Sequence, residues 1–206
     1  MDRSARSLVA VAFAAAVLSG AVPADAQPAA APPTKENPLV FSALAVRDPG
    51  GILGALQIAI ERWSTDSERG AVAGFLSGTT DRPEDQQKLV QALQSAPRVG
   101  YVSAPRSLGW DVKYAYQRQL SDGSRQIVVA TDKPLSYLSD PARARQHDYG
   151  FSLIEMRFPA GSDKGEGRLL AESALSVKDG MLQIGTYGQE PTRLTDISLM
   201  KPKDSK

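Results

Sequence analysis

Alternating apolar and polar positions follow residue 38 and predict antiparallel β-strands. The first two predicted strands, residues 39–47 and 52–63, flank an Asp-Pro-Gly-Gly turn at residues 48–51. Apolar residues at every second position give these strands a common face: Phe41, Ala43, Ala45, Leu56, Ile58 and Ile60. Because side chains alternate between the two faces of a strand, we expect this hairpin to bury that face.

Helical spacing interrupts the strands after residue 64. Thr65 and Glu68 have the spacing of a capping box, which predicts a short helix that ends near Ser77. Pro83, with acidic neighbours, predicts the start of a second helix that runs to about residue 95. Its predicted inner face consists of apolar residues at helical spacing: Leu89, Ala92, Leu93 and Ala96. The pattern therefore predicts a two-helix insertion after the second strand.

Strand periodicity returns at residues 98–103 and is clearest in the hairpin 110–120 and 125–131. Asp122 and Gly123 predict a two-residue type I′ turn between these last two strands. Three facing pairs follow from such a turn: Tyr116 with Val129, Tyr114 with Thr131, and Lys113 with Asp132. The same register gives a common face that we expect to be buried: Trp110, Val112, Tyr114, Tyr116, Ile127 and Val129.

The C-terminal third predicts more strands. Residues 149–158 are apolar on both faces and predict a central strand. A loop at 159–167 leads into a predicted strand 168–177, and a second Asp-Gly turn pairs Leu175 with Ile184 and Val177 with Leu182. A last strand is predicted at 192–199. The predicted fold is mainly β (α+β), with about eight antiparallel strands as a sandwich or flattened barrel and a two-helix insertion after the second strand.

The N-terminus has the three parts of a cleavable signal peptide, residues 1–26. Arg3 and Arg6 precede the apolar run 8–18, and Ala24-Asp25-Ala26 offers a cleavage site, with a second possible site at 19–21. A helix of that run rises only ~16 Å, about half the hydrocarbon core, so an anchor is disfavoured. We expect Sec-type export to a periplasmic or secreted location, without lipoprotein anchoring and without a transmembrane segment in the mature chain.

Composition defines the rest of the domain plan. Residues 27–38 are rich in proline and alanine and predict a flexible linker, with nothing before Leu39 packed on the domain. Residues 39–200 fit one β-rich domain, and residues 201–206 form a polar tail. The formal net charge of +1 is not typical of nucleic-acid binding, and the absence of cysteine excludes disulfides and thiolate chemistry.

Five short sequences together resemble a group of exported bacterial proteins of unknown function. They are ERWST at 61–65, PRVGY at 97–101, SLGWD at 107–111, ATDKP at 130–134 and LIEMR at 153–157. The resemblance covers nearly the whole mature domain. It implies export and a single domain, and it implies no activity and no site residues.

The sequence offers few residues that could form a catalytic or metal site. His147 is the single histidine, which excludes a two-histidine zinc site, and no Gly-x-Ser-x-Gly sequence would seat a serine nucleophile. Asp163 and Glu166 lack the ligand spacing of a calcium loop, so a solvated hairpin tip is favoured. We expect no catalytic residue, no metal and no cofactor.

Function is predicted only as a class. The aromatic stripe of the central hairpin is interpreted as core, and a ligand site is placed at the open end of that hairpin: Tyr101, Arg106, Trp110, Asp111, Asp132 and Lys133. The leading hypothesis is an exported binding or interaction module for an unknown small ligand or envelope protein. The first alternative is a structural or assembly protein of the envelope. The second is a carboxylate-based hydrolase that uses Asp111, Asp132 and Glu155.

Overall fold

The structure is a computed structural model that describes residues 32–47, 51–78, 83–105, 107–135, 138, 150–170, 174–178, 181–185 and 192–200. The chain divides into two units, Met1–Ala31 and Pro32–Lys206, and every described residue belongs to the second. The predicted signal peptide, the C-terminal tail, Arg106 and His147 lie outside the described residues.

Ten strands and two helices follow one another along the described chain. In chain order they are β1 (Leu39–Arg47), β2 (Gly51–Ile60), α1 (Asp66–Gly78), α2 (Pro83–Ser95), β3 (Gly100–Ser103), β4 (Trp110–Gln119), β5 (Arg125–Thr131), β6 (Ser152–Phe158), β7 (Lys164–Leu170), β8 (Ala174–Lys178), β9 (Met181–Gly185) and β10 (Thr192–Leu199). Eight of the strands form a closed antiparallel barrel in the order β1-β10-β7-β6-β5-β4-β3-β2, and β8 and β9 form a separate hairpin. The predicted fold class is confirmed, and closure makes it a barrel.

The interior of the barrel is filled by apolar side chains. Phe41 faces Ile58 across β1 and β2, and Ala43 faces Leu56, so the predicted face of the first hairpin is buried as expected. The other strands contribute further buried residues to this main core: Val102, Val112, Ala115, Ile127, Val129, Ile154, Met156, Phe158, Leu169, Leu194 and Ile197. Eight-stranded barrels are narrow enough for side chains to occupy their interior, and the described strands contribute such side chains here.

Two glycines of β7 show how tightly this core is packed. A Cβ atom at Gly165 would lie 2.8 Å from Phe158 Cδ1, and one at Gly167 would lie 2.9 Å from Ile197 Cδ1. The interior therefore has no room for even a methyl group at these positions. These glycines also explain why the prediction of a loop at 159–167 is wrong, since β7 already begins at Lys164 and glycine is a weak strand former.

The β4–β5 hairpin has a different register from the predicted one. Its loop has three residues, because the Gly123 amide donates to the Leu120 carbonyl (3.0 Å) and the Leu120 amide donates to the Ser124 carbonyl (2.8 Å). Gly123 has a φ of 78°, as the glycine that follows a type I turn in such loops does. Tyr116 therefore faces Val128, not Val129, and Tyr114 faces Ala130.

This one-residue shift moves the tyrosines to the outside of the barrel. Ala115 is buried in the main core, whereas Tyr114 and Tyr116 are half-buried on the outer face. Val112 remains inside because the register shifts between Val112 and Tyr114. The predicted common face is therefore wrong at Tyr114 and Tyr116 and confirmed at Val112, Ile127 and Val129, and the predicted pairing of Lys113 with Asp132 is wrong. Trp110 is partly buried against the main core.

The two helices cover part of the outer wall. A second apolar cluster joins them to β5, β6 and β7: Val72, Leu89, Leu93, Ala130, Phe151, Leu153 and Leu170, with Val90, Tyr114 and Val128 packed at its edge. The predicted inner face of the second helix is confirmed at Leu89 and Leu93, and β6 is apolar on both faces because it separates the two clusters. Neither helix, nor any other in the described residues, has the length and apolarity to cross a membrane.

The predicted capping box fixes the start of α1. The Glu68 amide donates to Thr65 Oγ1 (3.3 Å), and Glu68 Oε2 accepts from the Thr65 amide (2.8 Å). Both terminal nitrogens of Arg62 donate to the Glu68 carboxylate at 2.9 Å. Buried Ser64 connects this site to β4, since the Ala115 amide donates to its hydroxyl at 3.0 Å. The helical insertion is thus anchored to the barrel through residues 62–68.

Replacing Glu68 with glutamine should destabilise the protein in a pH-dependent way. The Arg62 guanidinium lowers the pKa of Glu68 from 4.5 to about 2. The ionised carboxylate therefore stabilises the fold above about pH 4.5, and this contribution is lost as the pH falls towards 2. Because the pair is partly exposed, we expect a loss of about 1 kcal/mol at pH 7, or about 2–4 °C. Thermal unfolding of both proteins from pH 7 to pH 2 should show this difference disappear, and a constant difference would contradict the prediction.

Two further expectations from the sequence have different outcomes. The β8–β9 register is confirmed, with Leu175 opposite Ile184 and Val177 opposite Leu182. By contrast, Pro33 is buried, although we expected no residue before Leu39 to pack on the domain. The residues next to it form a turn in which the Thr34 amide donates to the Asn37 carbonyl at 3.2 Å.

Candidate functional site

Two of the predicted site residues are direct neighbours in the barrel wall. Tyr101 on β3 faces Asp111 on β4, and both are half-buried. The Arg98 guanidinium lies 5.5 Å above the Tyr101 ring, and its Nη1 lies 3.7 Å from Asp111 Oδ1. The structure therefore brings these two residues together with Arg98, which the sequence analysis did not select.

The charges around Tyr101 compensate one another. Arg98 Nη2 lies 2.7 Å from Glu61 Oε1, and Lys113 Nζ lies 3.7 Å from Asp111 Oδ2. The row from Glu61 through Arg98 and Asp111 to Lys113 alternates in sign, so each charge has a partner within the row. Partly exposed ion pairs of this kind contribute little stability and leave no free charge for a ligand.

Three other residues of the predicted site, Trp110, Asp132 and Lys133, lie around one end of the barrel. Trp110 faces Val102, and Asp132 and Lys133 follow the last residue of β5. Leu135 and Leu138 are fully buried in the main core just beyond them. They close the end of the hairpin at which the ligand site was predicted. Binding by Tyr101, Trp110, Asp111, Asp132 and Lys133 remains a prediction.

Two of the three carboxylates of the hydrolase hypothesis, Asp111 and Glu155, have ordinary partners. Asp111 is ion-paired, and Glu155 accepts a hydrogen bond from the Gln126 side chain. Asp122 has its pKa lowered by hydrogen bonds from the Ser124 hydroxyl and amide and by Arg157. A general acid needs a raised pKa, so Asp122 and Glu68 are unsuited to that role. Within the described part of the chain, no group of three or more potential metal-ligating side chains is arranged to hold a metal ion.

A groove of about 600 Å³ lies on the outer wall where β10, β1, β2 and β3 adjoin. Its polar groups are small and uncharged except for one carboxylate, and its apolar surface is aliphatic. Its lining residues include Ser42, Leu44, Ala55, Gln57, Ser103 and Asp196. We refer to this cavity as the outer groove.

A bulge in β10 places Asp196 at the rim of the outer groove. The register of β10 shifts against both neighbours, between Ser42 and Leu44 on β1 and between Leu194 and Ile197 of β10 itself. Leu194 and Ile197 are both buried although they are three residues apart, and Asp196 between them is exposed with a φ of 52°. Bulges often redirect a side chain in this way near binding sites. That three-residue spacing was the signal in the sequence that could have indicated the bulge.

A second cavity of about 790 Å³ lies on the other side of Asp196. Its lining includes both signs of charge: Asp122, Arg157, Lys164, Glu166 and Asp196. We refer to it as the charged groove. Ser42 lines the outer groove and Ser198 lines the charged groove, and their hydroxyl oxygens are hydrogen-bonded at 2.9 Å.

The two grooves adjoin at Asp196, and we refer to the pair as the trough. Asp196 lines both of them, and the Ser42–Ser198 pair lies where they adjoin. The trough is lined by residues of β3, β2, β1, β10, β7 and the end of β6.

The trough could not have been assigned by similarity. No protein-family model, no curated protein and no solved structure matches the chain. Its candidate site therefore follows from geometry and chemistry alone.

Proposed function

We propose that the protein is an exported binding module that holds its ligand in the trough on the outer wall of the barrel. The observation that carries this proposal is the outer groove, which lies on a wall whose inner side the described strands line with buried apolar side chains. An added methyl group at Gly165 or Gly167 would collide with the β6 backbone and with core side chains, whereas the outer groove offers about 600 Å³. Ligand sites in proteins usually have volumes of roughly 300–1,000 Å³.

The polar groups of the outer groove suit reversible binding. Ser42, Gln57 and Ser103 can donate and accept hydrogen bonds, and Leu44 and Ala55 provide an aliphatic surface between them. A few polar groups on an apolar surface fix the orientation of a ligand. Such a site needs no catalytic constellation.

The export part of the proposal rests on residues 1–26. Their basic start, short apolar run and small-residue cleavage site are typical of a signal peptide. The described domain reaches a filled core without cysteine, so it needs no disulfide formation after export. Recovery of the native protein from the cytoplasm with Met1 still present would contradict export.

Ligand-induced stabilisation of the wild type and a groove-filled variant tests the proposed site. At a concentration of 100 Kd, a ligand stabilises its protein by about 2.7 kcal/mol, which corresponds to roughly 5–10 °C for a domain of this size. We expect a screen of short peptides, saccharides and amines to contain a ligand with such an effect. Ser103→Trp fills the outer groove and should abolish the shift.

The matched control is Arg193→Trp, which adds the same ring to an exposed position of β10 outside the trough. This variant should keep the full ligand-induced shift. An equal shift in Ser103→Trp would place the ligand elsewhere and contradict the proposed site.

A further inference from the structure

We propose that Met200 is a site of oxidation to methionine sulfoxide, and that the sulfoxide oxygen draws the Gln57 side chain away from the other polar groups of the outer groove. This inference is carried by the exposure of Met200, by its contact with Gln57 and by the position of Gln57 between two serines of the groove. The oxidation and its effect on Gln57 need no ligand, and only the consequence for binding rests on the proposed function.

Met200 differs in exposure from Met156, the other methionine whose side chain the structure describes. The exposed fraction of Met200 is 43%, whereas Met156 is fully buried in the main core. An oxidant must reach the sulfur atom, so the susceptibility of a methionine follows its exposure. We therefore expect a peroxide to oxidise Met200 and to leave Met156 intact while the protein is folded.

The Met200 side chain lies against Gln57. Met200 directly follows β10, and its amide donates to the Val40 carbonyl of β1 at 2.7 Å, which fixes its backbone on the barrel wall. From this position its sulfur atom accepts a hydrogen bond from Gln57 Nε2 at 3.8 Å. A thioether sulfur is a weak acceptor. The unmodified methionine therefore leaves the Gln57 amide available to other partners.

Gln57 belongs to a polar row that crosses the outer groove. It faces Ser42 on β1 and Ser103 on β3, and residues directly opposite one another share a face of the sheet. All three line the outer groove, and Gln57 is the one amide side chain among its described lining residues. The orientation of Gln57 therefore determines where the groove presents an amide donor and acceptor.

The oxidation transfers one oxygen atom from hydrogen peroxide to sulfur. The sulfur lone pair attacks one peroxide oxygen, the O–O bond breaks, and the departing hydroxide takes up the proton of the transferred hydroxyl group and leaves as water. Sulfur is oxidised by two electrons, and the peroxide is reduced by two. The product is a polar sulfoxide. Because Gln57 Nε2 already lies 3.8 Å from the sulfur, the added oxygen comes within hydrogen-bond reach of that donor.

The first test exposes the folded protein to hydrogen peroxide and follows each methionine by mass spectrometry. Trypsin places Met156, Met181 and Met200 on separate peptides, because Arg157 and Arg193 lie between them. Each gain of one oxygen atom is therefore assigned directly. We expect Met200 to be oxidised at least tenfold faster than Met156. Equal rates, or no oxidation of Met200, would overturn the site.

The second test records the side-chain N–H signals of Gln57 by NMR. Oxidation of the wild type should shift these signals, and a methionine sulfoxide reductase should return them to their original positions. Met200→Leu removes the sulfur at a similar volume and should show no shift on treatment with peroxide. Met156→Leu makes the same substitution in the core and should keep the shift. Both variants retain Met181, so its oxidation does not account for a difference between them.

The outcomes separate this inference from the proposed function. Unmoved Gln57 signals after complete oxidation of Met200, or the same shift in Met200→Leu, would overturn the coupling between the two residues. Neither measurement uses a ligand. If Ser103→Trp blocks no ligand from the screen, the proposed function fails, while selective oxidation and the Gln57 response would still support the inference.

Discussion

Replacing Phe158 with alanine should reduce the free energy of unfolding by about 3–5 kcal/mol, as truncation of a buried aromatic residue does. Phe158 is fully buried, its ring centroid lies 5.4 Å from that of Phe41, and the Arg125 guanidinium lies 4.8 Å from the ring centroid. The variant loses these contacts and leaves a cavity in a core that is otherwise filled. Urea unfolding at pH 7 gives the free energy directly.

Tyr116→Ala is the control for Phe158→Ala, and the comparison of the two variants tests the register of β4 against β5. Tyr116 is half-buried on the outer wall beneath the Arg69 guanidinium, which lies 4.6 Å from the ring centroid. We expect its truncation to cost about 1–2 kcal/mol, as for a residue outside the core. The two-residue turn predicted from the sequence would place Tyr116 in the core instead. An equal loss for the two variants would therefore contradict the register of β4 and β5.

Leu135→Ala should cost about 2–5 kcal/mol because Leu135 closes one end of the barrel. Its side chain is fully buried in the main core, and its amide donates to Ser152 Oγ at 2.7 Å. Leu138 packs beside this end, with its Cδ2 atom 3.2 Å from a Cβ built on Gly54. Removal of Leu135 opens a cavity at the closed end of the barrel.

Leu108→Ala is the same substitution at a fully exposed position between β3 and β4, and we expect a change within about 0.5 kcal/mol. The difference between the losses of unfolding free energy in Leu135→Ala and Leu108→Ala measures how completely this end of the barrel is closed. Equal small effects would mean that this end of the barrel is open to solvent, and an internal ligand site would then have to be considered.

The fold class was predictable because it follows from local patterns. The alternation of apolar and polar residues predicted the buried face of the first hairpin, and the capping box of Thr65 and Glu68 predicted the start of α1. The central strand was recognisable from apolar residues on both faces, since it lies between the barrel core and the helices. The choice between sandwich and barrel needed long-range pairing, because closure depends on β10 meeting β1 across more than 150 residues of chain.

Register was predictable for one hairpin and not for the other, although both contain Asp-Gly. A glycine with positive φ fits either a two-residue turn or a type I turn with one more residue. In the β4–β5 hairpin the Ser124 amide donates to Asp122 Oδ1 at 2.9 Å, and Ser124 is buried, which favours the longer loop. The dipeptide alone does not contain that information, and a shift of one residue moved Tyr114 and Tyr116 to the opposite face.

The candidate site was less predictable than the fold. Tyr101 and Asp111 were placed together correctly, but their partners Glu61 and Arg98 come from the ends of the helical insertion. The outer groove depends on residues from β1, β2, β3 and β10, which meet only when the barrel closes. Its one local signal was the three-residue spacing of the buried residues around Asp196.

The central claim is that ligand binds on the outer wall and not inside the barrel. Its most direct test is to record the amide and methyl NMR signals of the protein while adding a ligand from the screen. We expect the largest shifts at four residues of the outer groove: Ser42, Gln57, Ser103 and Asp196. Shifts centred instead on the methyl groups of Ile58, Val129 and Ile154 in the core would contradict the claim.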